Sequence, residues 1–489
     1  MKKLPTNEVI QLINRIEREI DVQQWMINSI NIWPIIRIYL GLSLDSMTKI
    51  EKKKNSSHII THIKGLFKLL FSIIFNYNQY DHTKKKCDVL FISYASAKHN
   101  KIDGKWFNSL INPIIKIIEK NYITYQVLEH DENYALRIPA HRKSIQIQHK
   151  IFINILKAKM YEKDITFDDV SLNIINEIIE IFYHYGINKN ILSKNIIKKK
   201  ISQVIVNYNY FTKILLKHEP KVVFASDYYG FEMGLHLACN KLGITSIDIQ
   251  HGVQGDNHIA YGSWFNLPRE GYELLPKIFA VRSNFEKDTI DKWTIDTIHK
   301  AVVFGNPMLY YVIKYFNKKK ISHNNYSKNK INVLITLQIG RGFLELYKAL
   351  LSNKNNTMFF WIRKHPTMPK IEIDLIKRQL RRFNSNIFDF NNASDSLLYI
   401  LLPKMNIHIT ENSTVTSEAA LFGIPTILTH QSGKDLYVNE IQNKQAYFET
   451  DVKEILKKIE LLSSTRIASS EKSIMQFEDA VVSAISSKI

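Results

Sequence analysis

At 489 residues the chain is too long for one ordinary core, and length alone calls for two or three domains of about 100–200 residues each. Hydrophobic residues at 45% and charged residues at 23% exclude a disordered chain, and only 16 glycines and 12 prolines exclude long unstructured linkers and collagen-like repeats. The formal charge of +20 leaves three kinds of partner: nucleic acid, an anionic membrane surface or a phosphate-bearing substrate.

Met1-Lys2-Lys3-Leu4-Pro5 leads into a charged helical pattern instead of an apolar signal core, so a soluble cytoplasmic chain is expected. Cys87 and Cys239, far apart, do not make a disulfide framework and fit a reducing compartment. Residues 1–85 read as a helical accessory region broken at Trp33-Pro34. Inside it, 65–77 (GLFKLLFSIIFNY) falls well short of the roughly 20 apolar residues that cross a bilayer. That run is either a buried core helix or an interfacial membrane helix, with Lys54, Lys64 and Lys68 nearby.

Residues 88–94 (DVLFISY) predict a buried parallel strand, followed by a polar loop over 95–105 and a helix over 106–120. Strand, loop and helix open a doubly wound domain. The stretch 140–215 is mostly helical by periodicity. Strands are then predicted at 221–226, 244–250, 278–282 and 301–304, with a helix at 230–242. Residues 317–330, rich in lysine and asparagine, have the composition of a linker. The second half repeats the rhythm, with strands at 331–337, 358–363, 386–390, 406–410 and 425–428. Helices at 343–352, 370–383, 396–402 and 414–422 alternate with them. Two such units imply two parallel sheets, which bind ligands beyond the carboxyl ends of their strands.

Four polar motifs stand at such ends. In Gln250-His251-Gly252-Val253-Gln254-Gly255, a histidine on a tight turn is suited to taking a proton from a hydroxyl near neutral pH. The same histidine is also compatible with a purely structural hydrogen bond. In Lys101-Ile102-Asp103-Gly104-Lys105, Asp103 is a base, an orienter of His251 or a ligand of acceptor hydroxyls, or else half of a common Asp-Gly turn. Arg363-Lys364-His365-Pro366 gathers cationic donors of the kind a diphosphate leaving group needs, unless it is a basic surface turn. Ser413 and Thr414 fall where a helix begins, so hydroxyls and free N–H groups form an anion site or an ordinary cap. Glu418 lies one turn on, placed for ribose or sugar hydroxyls. Gly340-Arg341-Gly342 is a weaker companion that fits neither a Walker A loop nor a dinucleotide fingerprint.

Together, His251-Gly252, Arg363-Lys364-His365-Pro366, Ser413-Thr414 with Glu418, and Gly423-Ile424-Pro425 resemble the GT-B glycosyltransferases of bacterial surface polysaccharides. Similar motifs occur in capsule and lipopolysaccharide transferases and in teichoic-acid glycerophosphotransferases. The resemblance covers roughly residues 88–460 and is more specific in the second half. It implies an α/β chain with a helical accessory region at 1–85, a Rossmann-like acceptor domain at 86–316, a linker at 317–330 and a Rossmann-like donor domain at 331–489, the two domains facing a cleft. By resemblance the nucleotide-sugar donor lies on Arg363, Lys364, His365, Ser413, Thr414 and Glu418, with Gly340 and Arg341 beside it. His251 or Asp103 is then the base, Gln250, Gly252 and Gln254 meet the acceptor, and the anomeric carbon inverts. Six residues separate Glu411 from Glu418, one fewer than the paired glutamates of many retaining GT-B enzymes, which disfavours that subclass. Ile102 before Asp103 departs from the two acidic residues of bacterial sialyltransferases and argues against a CMP-sialic acid donor.

No cofactor or metal is demanded beyond the donor substrate, since the chain has no dense His/Cys/Asp ligand spacing. Nucleic acid is set aside for want of zinc-finger, RNP-like or helix-turn-helix patterns. The lysine runs at 52–54, 84–86, 198–200 and 318–320 read singly as solvated ends and together favour peripheral contact with the anionic inner leaflet. The expected acceptor is a polysaccharide or a lipid-linked saccharide. Competing readings are a CDP-polyol phosphotransferase, a nucleotide-sugar 2-epimerase and a non-catalytic biosynthesis scaffold.

Overall fold

The computed structural model describes residues 4–45, 86–94, 100–102, 105–130, 144–252, 254–316, 330–353, 357–464 and 472–486. Asp103, Val253, the apolar run at 65–77 and nearly all of the linker lie outside them.

The first sheet has seven parallel strands: β1 (Val89–Tyr94), β2 (Tyr125–His130), β3 (Ser144–Gln146), β4 (Val222–Ala225), β5 (Thr245–Ile249), β6 (Ile278–Val281) and β7 (Lys300–Val303), in the order β7-β6-β5-β4-β1-β2-β3. The second has six: β8 (Ile331–Thr336), β9 (Met358–Arg363), β10 (Phe388–Asp389), β11 (Ile407–Thr410), β12 (Thr426–Leu428) and β13 (Ala446–Phe448), in the order β10-β9-β8-β11-β12-β13. In each sheet the chain winds outward from its first strand, then returns to that strand's other side and winds away. This is the Rossmann order, and ligands bind at its reversal. The expected pair of Rossmann-like α/β units is present.

The strands formed where apolar runs are continuous, because both faces of a parallel sheet are covered. β1, β4, β5, β8, β9, β11 and β12 fall within a residue or two of the predicted runs. β2 escaped prediction because Gln126, Glu129 and His130 dilute its apolar signal, and β3 is only three residues long. The predicted helix at 106–120 is shorter. Lys105–Phe107 pairs antiparallel with Asn100–Ile102, and the helix runs from Ile111 to Lys120. Asn108 sets that start, its side-chain oxygen accepting from the N–H groups of Leu110 and Ile111 at 2.9 and 3.2 Å.

Contacts divide the chain into Met1–Pro307 with Gln476–Ile489, and Met308–Met475. This differs from the division by composition at both ends. Residues 4–45 belong to the first unit's core: Leu12, Ile16, Trp25, Trp33 and Ile36 share one cluster with Ile178, Ile201, Trp264, Phe279 and Trp293. Pro34 does not break a helix but sits in the first turn of Trp33–Leu44, where a missing N–H costs nothing. The last helix, Lys472–Ser486, is counted mostly with the first unit, where Phe477, Val481 and Ile485 are buried.

A buried ion pair fixes this N-terminal segment. Glu17 accepts from Arg37 Nε and Trp33 Nε1 at 2.8 Å and from Phe265 N at 3.0 Å. The Arg37 guanidinium lies 4.0 Å over the Trp264 ring and donates to the carbonyls of Ile259 and Ser263. Segment 259–265, just beyond the His251 motif, is thereby clamped from the N-terminal helices. In the second unit His408 is buried between Thr336 and Thr426 on neighbouring strands, at 2.9 and 3.0 Å. Burial drops its pKa to about 3 and keeps it a neutral bridge. No helix among the described residues is long and apolar enough to cross a membrane.

Candidate functional site

In the first unit, the ends of β4, β5 and β6 gather polar side chains. β5 reads Thr245-Ser246-Ile247-Asp248-Ile249, so one pleat face carries Ser246 and Asp248 and continues into Gln250. His251 follows on the turn, and Asp227 arrives two residues beyond β4. Asp227 Oδ1 lies 2.9 Å from His251 Nδ1, an ion-pair distance at which the two atoms do not align as a hydrogen bond, both side chains partly exposed. The Tyr229 hydroxyl is 3.4 Å from His251 Nε2, and the Tyr229 and Tyr261 rings each lie 6.3 Å from the imidazole.

Burial by itself would lower the imidazole's pKa. The adjacent Asp227 carboxylate and, more weakly, Asp248 outweigh it and hold His251 above the ordinary value. Asp248 is fully buried and neither of its carboxylate oxygens makes a hydrogen bond of good geometry among the described residues. Burial pushes it up to about 7, against the opposing pull of His251. The cluster therefore holds an imidazole in close contact with one carboxylate, with a second carboxyl poised near neutrality. With a proton on Nδ1 facing Asp227, Nε2 presents its lone pair, and the long contact to Tyr229 leaves room for a shorter donor. Such an arrangement can accept a hydroxyl proton and stabilise the imidazolium that results.

Gln250 and Gln254 were both expected at the acceptor. The Gln250 amide is engaged inside the protein: its Nε2 donates to the Gly252 carbonyl and to Glu286, and its oxygen accepts from Arg282 N at 2.7 Å. It shapes the turn that carries His251. Gln254 is buried with its Oε1 unpartnered among the described residues. A Cβ at Gly252 would meet none of the described residues within 4 Å.

In the second unit the predicted residues also collect at strand ends, but with unequal freedom. Arg363, the last residue of β9, turns inward, Nη1 donating to the Ala393 and Ser396 carbonyls at 2.5 and 2.7 Å. It holds the carboxyl end of the short helix Asn391–Asp395 in place of presenting Nη1 as a free donor. Lys364 lies 3.6 Å from Asp395. His365 Nδ1 accepts from the Thr367 N–H at 3.2 Å, and burial lowers its pKa. Gly340 and Gly342 both have positive φ, at 73° and 67°, a conformation glycine adopts without strain. Their N–H groups converge on Glu372 Oε1 at 2.9 and 3.2 Å. Arg341 reaches the buried Glu411 at 3.5 Å, beside the sheet reversal between β8 and β11. Past β11, Ser413 Oγ accepts from Val415 N at 3.3 Å, and Tyr437 donates to the Ser413 carbonyl at 2.7 Å. Thr414 is exposed and makes no side-chain cap to the helix Val415–Leu421. Glu418 is buried, with the Tyr399 hydroxyl 3.4 Å away.

Sequence reasoning missed Asp227, Asp248 and Tyr229. A signal for two of them was present: Asp227 directly follows the run KVVFAS, and Asp248 is a charge inside an apolar strand. Such a residue is expensive to bury without a task.

No protein-family model and no curated protein sequence matches the chain. Among solved structures, it is similar to UDP-GlcNAc 2-epimerase from Neisseria meningitidis bound to UDP-GlcNAc, at 16% identity and a TM-score of 0.49, covering 82% of this chain and 99% of that one. For UDP-GlcNAc 2-epimerase from Methanocaldococcus jannaschii the figures are 12%, 0.48, 81% and 99%. For the wall teichoic acid polymerase TagF they are 10%, 0.44, 88% and 99%. With these scores below 0.5, function has to be read from the chain's own residues.

Proposed function

We propose that the chain is a glycosyltransferase that moves a sugar from a nucleotide-sugar donor to a hydroxyl of a polysaccharide or lipid-linked acceptor in bacterial surface-polysaccharide synthesis. The observation that carries this reading is the His251–Asp227 pair, 2.9 Å apart at the strand ends of a Rossmann-ordered sheet, with the buried Asp248 beside it. His251 Nε2 takes the acceptor proton while the acceptor oxygen bonds to the anomeric carbon. The bond from that carbon to the donor phosphate breaks, its electron pair leaves with the nucleoside phosphate, and the configuration inverts.

The donor is assigned to the second unit, to Lys364, His365, the Ser413-Thr414 turn with Glu418, and the Gly340-Arg341-Gly342 turn. What supports this is their place after β9, β11 and β8, where the sheet reverses. Arg363 is left out of the donor set, its Nη1 being engaged by the Ala393 and Ser396 carbonyls. The charge of +20 favours work at the anionic inner face of a membrane.

The test is a thermal-shift screen with UDP-, GDP-, CMP-, CDP- and dTDP-linked sugars, followed by His251→Ala. One donor at a hundred times its Kd should stabilise the fold by about 2.7 kcal/mol. His251→Ala should keep that response and lose transfer. If no nucleotide sugar stabilises the chain, or the alanine variant transfers at the wild-type rate, the reading fails. Conversion of the donor with no acceptor present would favour epimerisation.

A further inference from the structure

Away from the strand ends, the first unit contains a cavity of about 430 Å³ among the helices Trp33–Leu44, Gln148–Tyr161 and Lys194–His218. Small-molecule sites run from about 300 to 1,000 Å³. Its walls are apolar over the larger part, with Ile35, Ile38, Ile151, Val204 and Met233 among them, and carry the polar side chains of Ser43, Asn154, Gln203 and Asn207. Two further lining residues, Leu42 and Ile155, are 44% and 42% exposed.

Among the described residues that line it, Lys200 alone is charged. Its ammonium lies 5.0 Å over the Tyr39 ring, and it has no carboxylate partner among the described residues. Burial, and then the neighbouring Lys199, pull its pKa below that of an ordinary lysine. A wholly apolar ligand would dehydrate this cation further and leave it unpaired. A small anion alone would leave the aliphatic walls wet. An amphiphile answers both, with its chain on the walls and its anion on the ammonium.

We propose that this cavity binds the apolar chain of an anionic amphiphile, with Lys200 pairing to the head group. Tyr229 gives the site a direction: it is one of the lining residues, and its hydroxyl lies 3.4 Å from His251 Nε2. The cavity and the imidazole thus share a residue, which makes the bound amphiphile the acceptor class. That identification rests on the transferase reading, whereas binding itself does not.

The test is calorimetric titration of the full chain with dodecyl phosphate and dodecyl maltoside, equal in chain length and each below its critical micelle concentration, and with inorganic phosphate. Dodecyl phosphate should bind one to one and at least about tenfold tighter than either comparison compound, a difference of about 1.4 kcal/mol. Lys200→Gln should remove the preference over dodecyl maltoside, and Ile151→Trp, which fills the cavity, should weaken both amphiphiles about tenfold or more. Inorganic phosphate binding as well as dodecyl phosphate would overturn the proposal, as would wild-type binding of dodecyl phosphate in both variants. Dodecyl phosphate binding through Lys200 in a chain that answers no nucleotide sugar would keep the site and remove the transferase reading. A nucleotide-sugar response without dodecyl phosphate binding would do the reverse.

Discussion

Glu17→Ala is expected to be among the most destabilising single changes outside the strand-end cluster. Glu17 is fully buried and accepts from Trp33, Arg37 and Phe265. Its removal leaves the Arg37 guanidinium, itself 2% exposed, as a buried cation without its counter-charge. Breaking one side of such a pair costs about 3–5 kcal/mol. For a unit of this size, roughly 2 °C per kcal/mol translates that into a melting temperature lower by about 6–10 °C. Glu17→Leu with Arg37→Met should recover most of the loss, because a pair replaced by apolar groups leaves no charge stranded. Tryptophan fluorescence is the assay, since Trp25, Trp33, Trp264 and Trp293 all sit in this core. A melting point within about 1 °C of wild type for Glu17→Ala, or a double variant as unstable as the single one, would refute the clamp. Because the clamped segment follows the His251 turn, Glu17→Ala should also depress turnover below its unfolding range.

Three other outcomes are expected. Asp248, raised to about 7 in the fold against an unfolded value near 3.9, is unfavourable to ionise, so its cost appears as pH climbs from about 4 to about 7 and persists above; Asp248→Asn should gain stability over wild type at pH 8, with a ceiling of about 4 kcal/mol, and urea unfolding at pH 5 should show that gain shrinking. Arg363→Met should lower stability by about 1–3 kcal/mol by stranding the Ala393 and Ser396 carbonyls, with nucleotide affinity of the folded protein unchanged in calorimetry. Glu372→Ala frees the Gly340 and Gly342 N–H groups and should tighten UDP binding, whereas unaltered binding would place the donor phosphates elsewhere.

The two sheets were legible because buried parallel strands leave continuous apolar runs, as in KVVFAS and MFFWIR. What stayed hidden was set by tertiary contacts. Residues 4–45 read as an appendage because nothing local says that Glu17 and Arg37 will meet Ile259, Ser263 and Phe265 more than two hundred positions away. His251 was legible from its turn after a strand, but Asp227 became its partner only through the adjacency of β4 and β5. At the HP motif a strand-end arginine reads as a free cation, and only the fold reveals that Arg363 turns inward onto the carboxyl end of the helix Asn391–Asp395.

The dependence of transfer rate on pH, in wild type and in Asp227→Asn, bears most directly on His251 as the base. Because Asp227 and Asp248 hold the imidazole above its ordinary value, wild-type activity should rise with pH through an ionisation above about 6.5. In Asp227→Asn that ionisation should move down while the maximal rate falls. Superimposable profiles from the two proteins would contradict the account.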